Sequence, residues 1–226
     1  MRFRIPVFCL ILVCTNLQAE KPGRWSIGPY FGAAYSMINT KGPATDFSVI
    51  TLPAPFLGMD IFLQLKNRLW VETGWGFFQP SFLMQYKDET LTTSKVRMHC
   101  IPLRIKTAVL FGRRSEFFGG FGIVYDPISL VGNSSSKIIS GTYRFDLSHS
   151  TANGILLSPS VGMVFKNSKE NRHEIEIQSF IGNGHSMHAN AYYFGQPENF
   201  RSFSSQGRTW ALRYRYCFAF KRKKQS

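Results

Sequence analysis

Hydrophobic residues recur at every second position over long stretches of this chain, most clearly from Leu57 to Phe78. Leu57, Met59, Ile61, Leu63 and Leu65 share one face of the first arm, against Gly58, Asp60, Phe62, Gln64 and Lys66. After a turn at Lys66-Asn67-Arg68, Leu69, Val71, Thr73, Trp75 and Phe77 oppose Trp70, Glu72, Gly74, Gly76 and Phe78. Successive side chains of a strand point to opposite faces, so this period marks two strands. The arms exceed the roughly 5–6 residues usual for soluble strands and match the ~9–11 tilted residues that cross a bilayer. The stretch predicts a transmembrane hairpin.

The same period recurs from Trp25 to Ser36, from about Lys95 to Phe111, from Glu116 to about Ser129, from Ile155 to Phe165, from Arg172 to Gly182 and from Thr209 to Lys221. Pro29 interrupts the first of these with a missing donor, since proline cannot give a ladder hydrogen bond. The total is eight strands. Short connections at 67–68, 112–115 and 166–171 alternate with long ones at 37–55, 87–94, 131–153 and 183–207. Residues 142–147 look able to form a short strand within the third long loop. Outer-membrane barrels have this asymmetry, with short periplasmic turns and long extracellular loops.

An eight-stranded lipocalin is the soluble rival, with its apolar face turned inward. Three features favour lipid outside. The apolar faces are nearly free of charge across their middles. Trp25, Tyr35, Trp210 and Phe220 fall near strand ends, where interfacial girdles belong. The opposite faces combine glycine with charges of both signs, as a narrow interior requires. The fold class predicted is all-β, an eight-stranded antiparallel up-and-down transmembrane barrel.

The first 19 residues change the picture of location. Arg2 and Arg4 precede an apolar core, Val7 to Val13, and Leu17-Gln18-Ala19 offers a cleavage site. This is a secretory signal pattern, leaving 20–226 as one barrel domain. A lipoprotein signal at Cys14 would need a small residue in place of Val13. Cys9 and Cys14 then leave with the signal, and Cys100 and Cys217 fall at different depths, too far apart for a disulfide. The net charge of +14 invites a nucleic-acid reading, but the cations are scattered among turns, loops and tail rather than gathered on a stripe. They suit anionic headgroups better.

The segments IGPYFGAAYS, IPLRIK, FFGGFGIVYD and ALRYRYCFAF resemble the outer-membrane β-barrel domain family common in Bacteroidota, small porin-like or OmpA-like barrels. The pattern Ile101, Pro102, Leu103, Lys106 is its most distinctive part, and the likeness spans nearly the whole mature chain. The resemblance implies an eight-stranded barrel in the outer membrane and implies no activity. One departure is that the chain continues past Phe220 with KRKKQS, where many such barrels end on an aromatic residue.

The lumen-facing charges are Asp60, Glu72, Arg104, Lys106, Asp126, Glu174, Glu176, Arg213 and Arg215. They can serve an ion path or a network of cross-strand pairs. An eight-stranded barrel is only wide enough for side chains to fill it, and confined charges must pair. A plugged lumen is therefore expected over a narrow pore. Among the histidines, His185 with Ser186 and His188 suggests a lipid A-modifying hydrolase, but no carboxylate is placed to orient His185. No nucleophile elbow, zinc-protease helix, paired-cysteine motif or P-loop occurs. The sequence thus predicts no catalytic residues, metal or cofactor. It predicts a monomeric surface protein whose long loops meet an extracellular or envelope ligand, with outer-membrane lipids and lipopolysaccharide as its other partners.

Overall fold

In a computed structural model, the described residues are 24–66, 68–87, 89–95, 97–111, 115–126, 135–139, 143–150, 154–166, 171–182, 186–193, 195–206 and 208–219. They form β1 (Arg24–Ser36), β2 (Asn39–Lys41), β3 (Phe47–Leu52), β4 (Ala54–Lys66), β5 (Leu69–Phe78), β6 (Ser81–Tyr86), β7 (Glu89–Lys95), β8 (Met98–Phe111) and β9 (Ser115–Asp126). The second half holds β10 (Ser135–Ile139), β11 (Tyr143–Ser150), β12 (Gly154–Leu157), β13 (Ser160–Lys166), β14 (Arg172–Phe180), β15 (Ser186–Tyr193), β16 (Gln196–Gln206) and β17 (Thr209–Ala219). Residues 1–19, expected to be a signal segment, and Phe220 lie outside the described residues.

The barrel closes in the order β9-β13-β14-β17-β1-β4-β5-β8 and back to β9, every neighbour antiparallel. β12 continues β13 along β9 after a break at Ser158-Pro159, so nine segments make eight strands. Pro29 and Pro102, two of the prolines inside strands, sit where the ladder can spare a donor. The β1–β17 register skips Gly28 and Pro29, and the β5–β8 register skips the partners of Ile101 and Pro102. Each proline keeps its pairing on the other side, Pro29 with Met59 and Pro102 with Val124.

The alternation read from the sequence divides outside from inside. Phe31, Val161, Leu212 and Ile177 point outward and are 48–61% exposed, while Asp60, Glu72, Arg104 and Glu176 point inward and are at most 1% exposed. Trp25 and Tyr35, ten residues apart on β1, mark the two edges of this outer apolar band. At ~3.3 Å per residue and a tilt of about 40°, the band is roughly 25 Å tall, the height of a bilayer-facing belt. Its upper edge includes Trp210, paired with Tyr35, and the stacked Trp75 and Phe77 rings beside His99.

The four long connections differ from the loops expected. They carry strands that continue above the barrel in two separate sheets. One has the order β10-β11-β15-β16-β2, the other β3-β6-β7. The strand expected near 142–147 is β11. The third barrel strand does not continue into the segment that ends at Tyr86. β5 stops at Phe78, Gln79-Pro80 breaks the ladder, and β6 joins the smaller sheet. The polar 87–94 segment is the turn and return arm of the β6–β7 hairpin.

The two upper sheets face each other across Phe47 and Met84 on one side and Ala189, Ala191 and Phe203 on the other, all fully or nearly buried. Ile38 and Val49 pack against both this core and the apolar core inside the barrel, which makes one continuous interior. Asp46 ties the sheets together. Its carboxylate accepts from Tyr193 Oη at 2.6 Å, and its main-chain carbonyl accepts from Lys87 N–H at 2.9 Å. Lys87 has φ of 45°, a left-handed turn position.

Candidate functional site

The inward faces of β4, β5, β8, β14 and β17 carry the charges that alternation placed in the lumen. Register sets their neighbours: Glu72 opposite Arg104, Glu174 opposite Arg215, Glu176 opposite Arg213. Tilted strands bring these residues to one height, where four cations meet four carboxylates. Arg213 Nη1 donates to Asp60 at 2.9 Å, its Nη2 to Glu72 at 3.0 Å, and its Nε to Glu176 at 2.7 Å. Arg215 Nη1 donates to Glu174 at 2.9 Å and to Glu72 at 3.1 Å. Lys106 Nζ reaches Glu72 at 2.7 Å and Glu176 at 2.8 Å. Arg104 pairs with Glu72 and, at 3.2 Å, with Glu176. All eight side chains are at most 3% exposed. The ring is formally neutral, which is what allows charges of this number to lie out of water.

Asp126 is also buried, but it lies four residues further along β9 than Gly122, the partner of Arg104. That puts it near the long-loop end, one step beyond the Ile101–Tyr125 pair and above the ionic layer. The other eight expected lumen charges all meet in that layer.

Glycines give the ring its room. A Cβ on Gly28 would stand 2.9 Å from Arg215 Cδ. One on Gly76 would stand 2.0 Å from the Tyr30 hydroxyl. Large side chains thus enter the lumen by lying over bare backbone on nearby strands.

The ionic ring is capped on both sides by aromatic layers, which the sequence reading did not anticipate. Toward the long-loop end Phe56, Phe78 and Phe180 pack with ring centroids 5.4–6.0 Å apart, beside Met98, Val124 and Leu156. Tyr30 meets Phe56 edge-on and lies under the Arg213 guanidinium at 5.0 Å. Toward the short-turn end the Phe62 ring receives Arg215 at 4.6 Å and Arg172 at 4.7 Å, and Phe118 receives Lys106 at 4.6 Å. Cations over ring faces gain from the ring quadrupole, more so out of water. The signal for these layers was present, because Phe56, Phe62, Phe78 and Phe118 share parity with the lumen charges.

Glu72, Glu174 and Glu176 have oxygens within 4.8 Å of one another, but the four cations already occupy them. Cys100 and Cys217 are free and buried. The described histidines do not converge. His99 sits in the outer girdle against Trp75 and Phe77, His173 bonds Tyr214 Oη on the outer face, and His188 is exposed on β15. His185 lies outside the described residues, and Ser186 is the first residue of β15, beyond the barrel. Of the expected interfacial aromatics, Trp25, Tyr35 and Trp210 are about half exposed on the outer face at the band's edges.

No family model and no curated relative matches the chain. Solved structures do. The chain is similar to the outer membrane protein OprG from Pseudomonas aeruginosa at 13% identity, over 89% of this chain and 98% of that one, with a TM-score of 0.55. It is also similar to the outer membrane protein AlkL, solved in lipid bilayers, at 12% identity over 91% and 94% of the two chains, with a TM-score of 0.48. Ail, the attachment invasion locus protein of Yersinia pestis, aligns at 12% identity over 88% and 100%, with a TM-score of 0.37. The first of these likenesses establishes the fold, a closed eight-stranded barrel of the outer-membrane type.

Proposed function

We propose that the chain is a bacterial outer-membrane barrel with a closed lumen, acting through the two sheets it raises above the membrane. The observation that carries this reading is the pairing of an apolar outer band with a charged, fully occupied interior. A soluble barrel would present the reverse. The neutral ionic ring, capped on both sides by aromatic side chains, supports a structural or surface-interaction role over a pore. Recognition tends to sit on segments displayed by a rigid scaffold, and here those segments are themselves folded. A Bacteroidota source and a monomeric state are part of the same proposal. So is a signal segment over 1–19.

Orientation and location are tested together by labelling single cysteines in intact cells with a membrane-impermeant maleimide. The native Cys100 and Cys217 are buried and stay silent. Glu198→Cys, at an exposed position on β16, should label in intact cells. Arg68→Cys, exposed in the β4–β5 turn, should label only after the outer membrane is permeabilised. Labelling of Arg68→Cys from outside would invert the topology. Recovery of the protein in the soluble fraction would remove the membrane reading altogether.

A further inference from the structure

The wall formed by β14, β17 and β1 continues upward into β15, β16 and β2, and its outer surface changes character at the girdle. Below it lie Ile177, Leu212 and Phe31. Above it the register lines up Lys41, Ser202 and Asn190 across three strands, and Asn39, Ser204 and His188 in the next row. Lys41, Asn39, Asn190 and His188 are exposed, and both serines are half-buried. The intervening Ala189, Ala191 and Phe203 are fully buried and face the core, so the polar residues face outward. Beyond them on the same face, Asp146 accepts from Tyr192 Oη at 2.6 Å and from Arg144 Nε at 3.0 Å, with Arg144 lying over the Tyr192 ring.

This array is rich in amides and hydroxyls, and carries Lys41, Arg144 and His188 beside Asp146. Asn39 and Lys41 lie four and six residues beyond Tyr35, which places the rows about 10–15 Å above the edge of the apolar band. A surface that is continuous with a lipid-contacting wall, at that height, faces the headgroups of the surrounding outer leaflet. Those headgroups are phosphorylated saccharides in lipopolysaccharide. Hydroxyl-rich, anionic ligands match amide and hydroxyl donors backed by cations. The smaller sheet differs: apart from the Ser48–Gln85 pair, its outer face next to the barrel exposes Ile50 and Leu52, at 45% and 40%, and so offers sugars fewer bonding groups.

We propose that the outer face of the five-stranded sheet is a saccharide-contacting surface, which binds the phosphorylated core sugars of the lipopolysaccharide around the barrel. The proposal rests on the membrane reading above and assigns one side of the molecule to the lipid's sugars.

The test is hydrogen exchange on the full chain folded into phosphatidylcholine vesicles. One set carries lipopolysaccharide with its inner-core sugars, and a second carries the same mole fraction of lipid A without them. Amides of β2, β15 and β16 should exchange at least fivefold more slowly with core sugars, and those of β3 and β6 should not change. In the Lys41→Glu/Asn190→Glu variant the slowing should be lost, while β4 and β5 remain protected as in the parent. The single variant Lys41→Glu, at the sheet's edge, should lose part of the slowing and serves if the double variant folds poorly. Equal exchange in the two vesicle types, with the barrel inserted, overturns the surface proposal alone. Equal slowing on both upper sheets also overturns it, because the contact would then be unspecific. Failure of the barrel to insert into either vesicle overturns the membrane reading on which it depends.

Discussion

Replacing Arg213 with Ala tests the ionic ring most directly. The guanidinium contacts three carboxylates, those of Asp60, Glu72 and Glu176, and lies over Tyr30. The variant leaves four carboxylates facing the three cations Arg104, Lys106 and Arg215 in a space closed to water. Breaking one side of a buried pair costs about 3–5 kcal/mol, and loss of a hub shared by three acids points to the upper part of that range. With a urea slope of about 2 kcal/mol per M, the unfolding midpoint in vesicles should fall by roughly 2 M, read by tryptophan fluorescence. Arg213→Met combined with Glu176→Gln restores neutrality and should recover more than half of the loss, because the penalty is mainly the uncompensated charge. The outer face is the control. Ile177 pairs with Val161 and Leu212 at the height of the ring. Ile177→Phe should change stability by no more than about 0.5 kcal/mol, since fluid lipid accepts the larger ring. Ile177→Arg should cost about 2–4 kcal/mol. If Arg213→Ala shifts the midpoint by less than about 0.5 M, the ring is hydrated and the lumen is not closed. If Ile177→Phe is as damaging as Arg213→Ala, inside and outside have been exchanged.

Gly76→Ala drives a methyl group into the Tyr30 hydroxyl and the Phe56 ring, and should cost about 1–3 kcal/mol in the same urea assay, whereas Gly195→Ala, at an exposed turn with open space around it, should be limited to backbone strain at φ of 83°. In planar bilayers the purified protein should show no single-channel steps, and steps in the parent protein would contradict the filled lumen. The hydrogen bond to Asp46, and a smaller contribution from Tyr86, raise the Tyr193 phenol above its ordinary pKa. The bond is therefore fully present below the unfolded value of about 10 and is lost only as pH rises through the higher folded value. Ultraviolet difference titration of the parent against Tyr193→Phe should isolate one phenol that ionises above the ordinary tyrosine range. Tyr193→Phe should also speed amide exchange around 44–47, where Asp46 joins the two upper sheets.

The barrel was legible because its two environments differ so strongly. Along Leu57–Phe78 every second residue meets lipid and every other meets the lumen, so the contrast is nearly maximal at each step. The glycines and charges of the inward face also announced their own pairing, since Glu72 and Arg104 or Glu176 and Arg213 fall together once strand neighbours are known. The upper sheets were hidden for the opposite reason. In the five-stranded sheet the inward residues include Ala189, Ala191 and Ser205 and the outward ones Asn190, Ser202 and Ser204, so β15 and β16 show little contrast and read as loop. The strand formers of β7, with Thr90, Thr92 and Thr93, were masked by their polarity. The apolar layers inside the barrel were missed because the aromatic residues of the inward face were weighed less than its charges.

The arrangement of charge around the ring bears on how such a barrel can be built. Asp60, Glu72, Arg104 and Lys106 come from β4, β5 and β8, while Glu174, Glu176, Arg213 and Arg215 come from β14 and β17. Each half of the ring therefore balances to zero by itself: Glu72 on β5 adjoins Arg104 and Lys106 on β8, and the two glutamates of β14 adjoin the two arginines of β17. An assembly that brings β4, β5 and β8 in together, or β14 and β17 together, adds no net ring charge to the membrane. Closure between β1 and β17 then joins two electrically complete pieces, and the last ladder to form has only to exclude water from a balance that already exists.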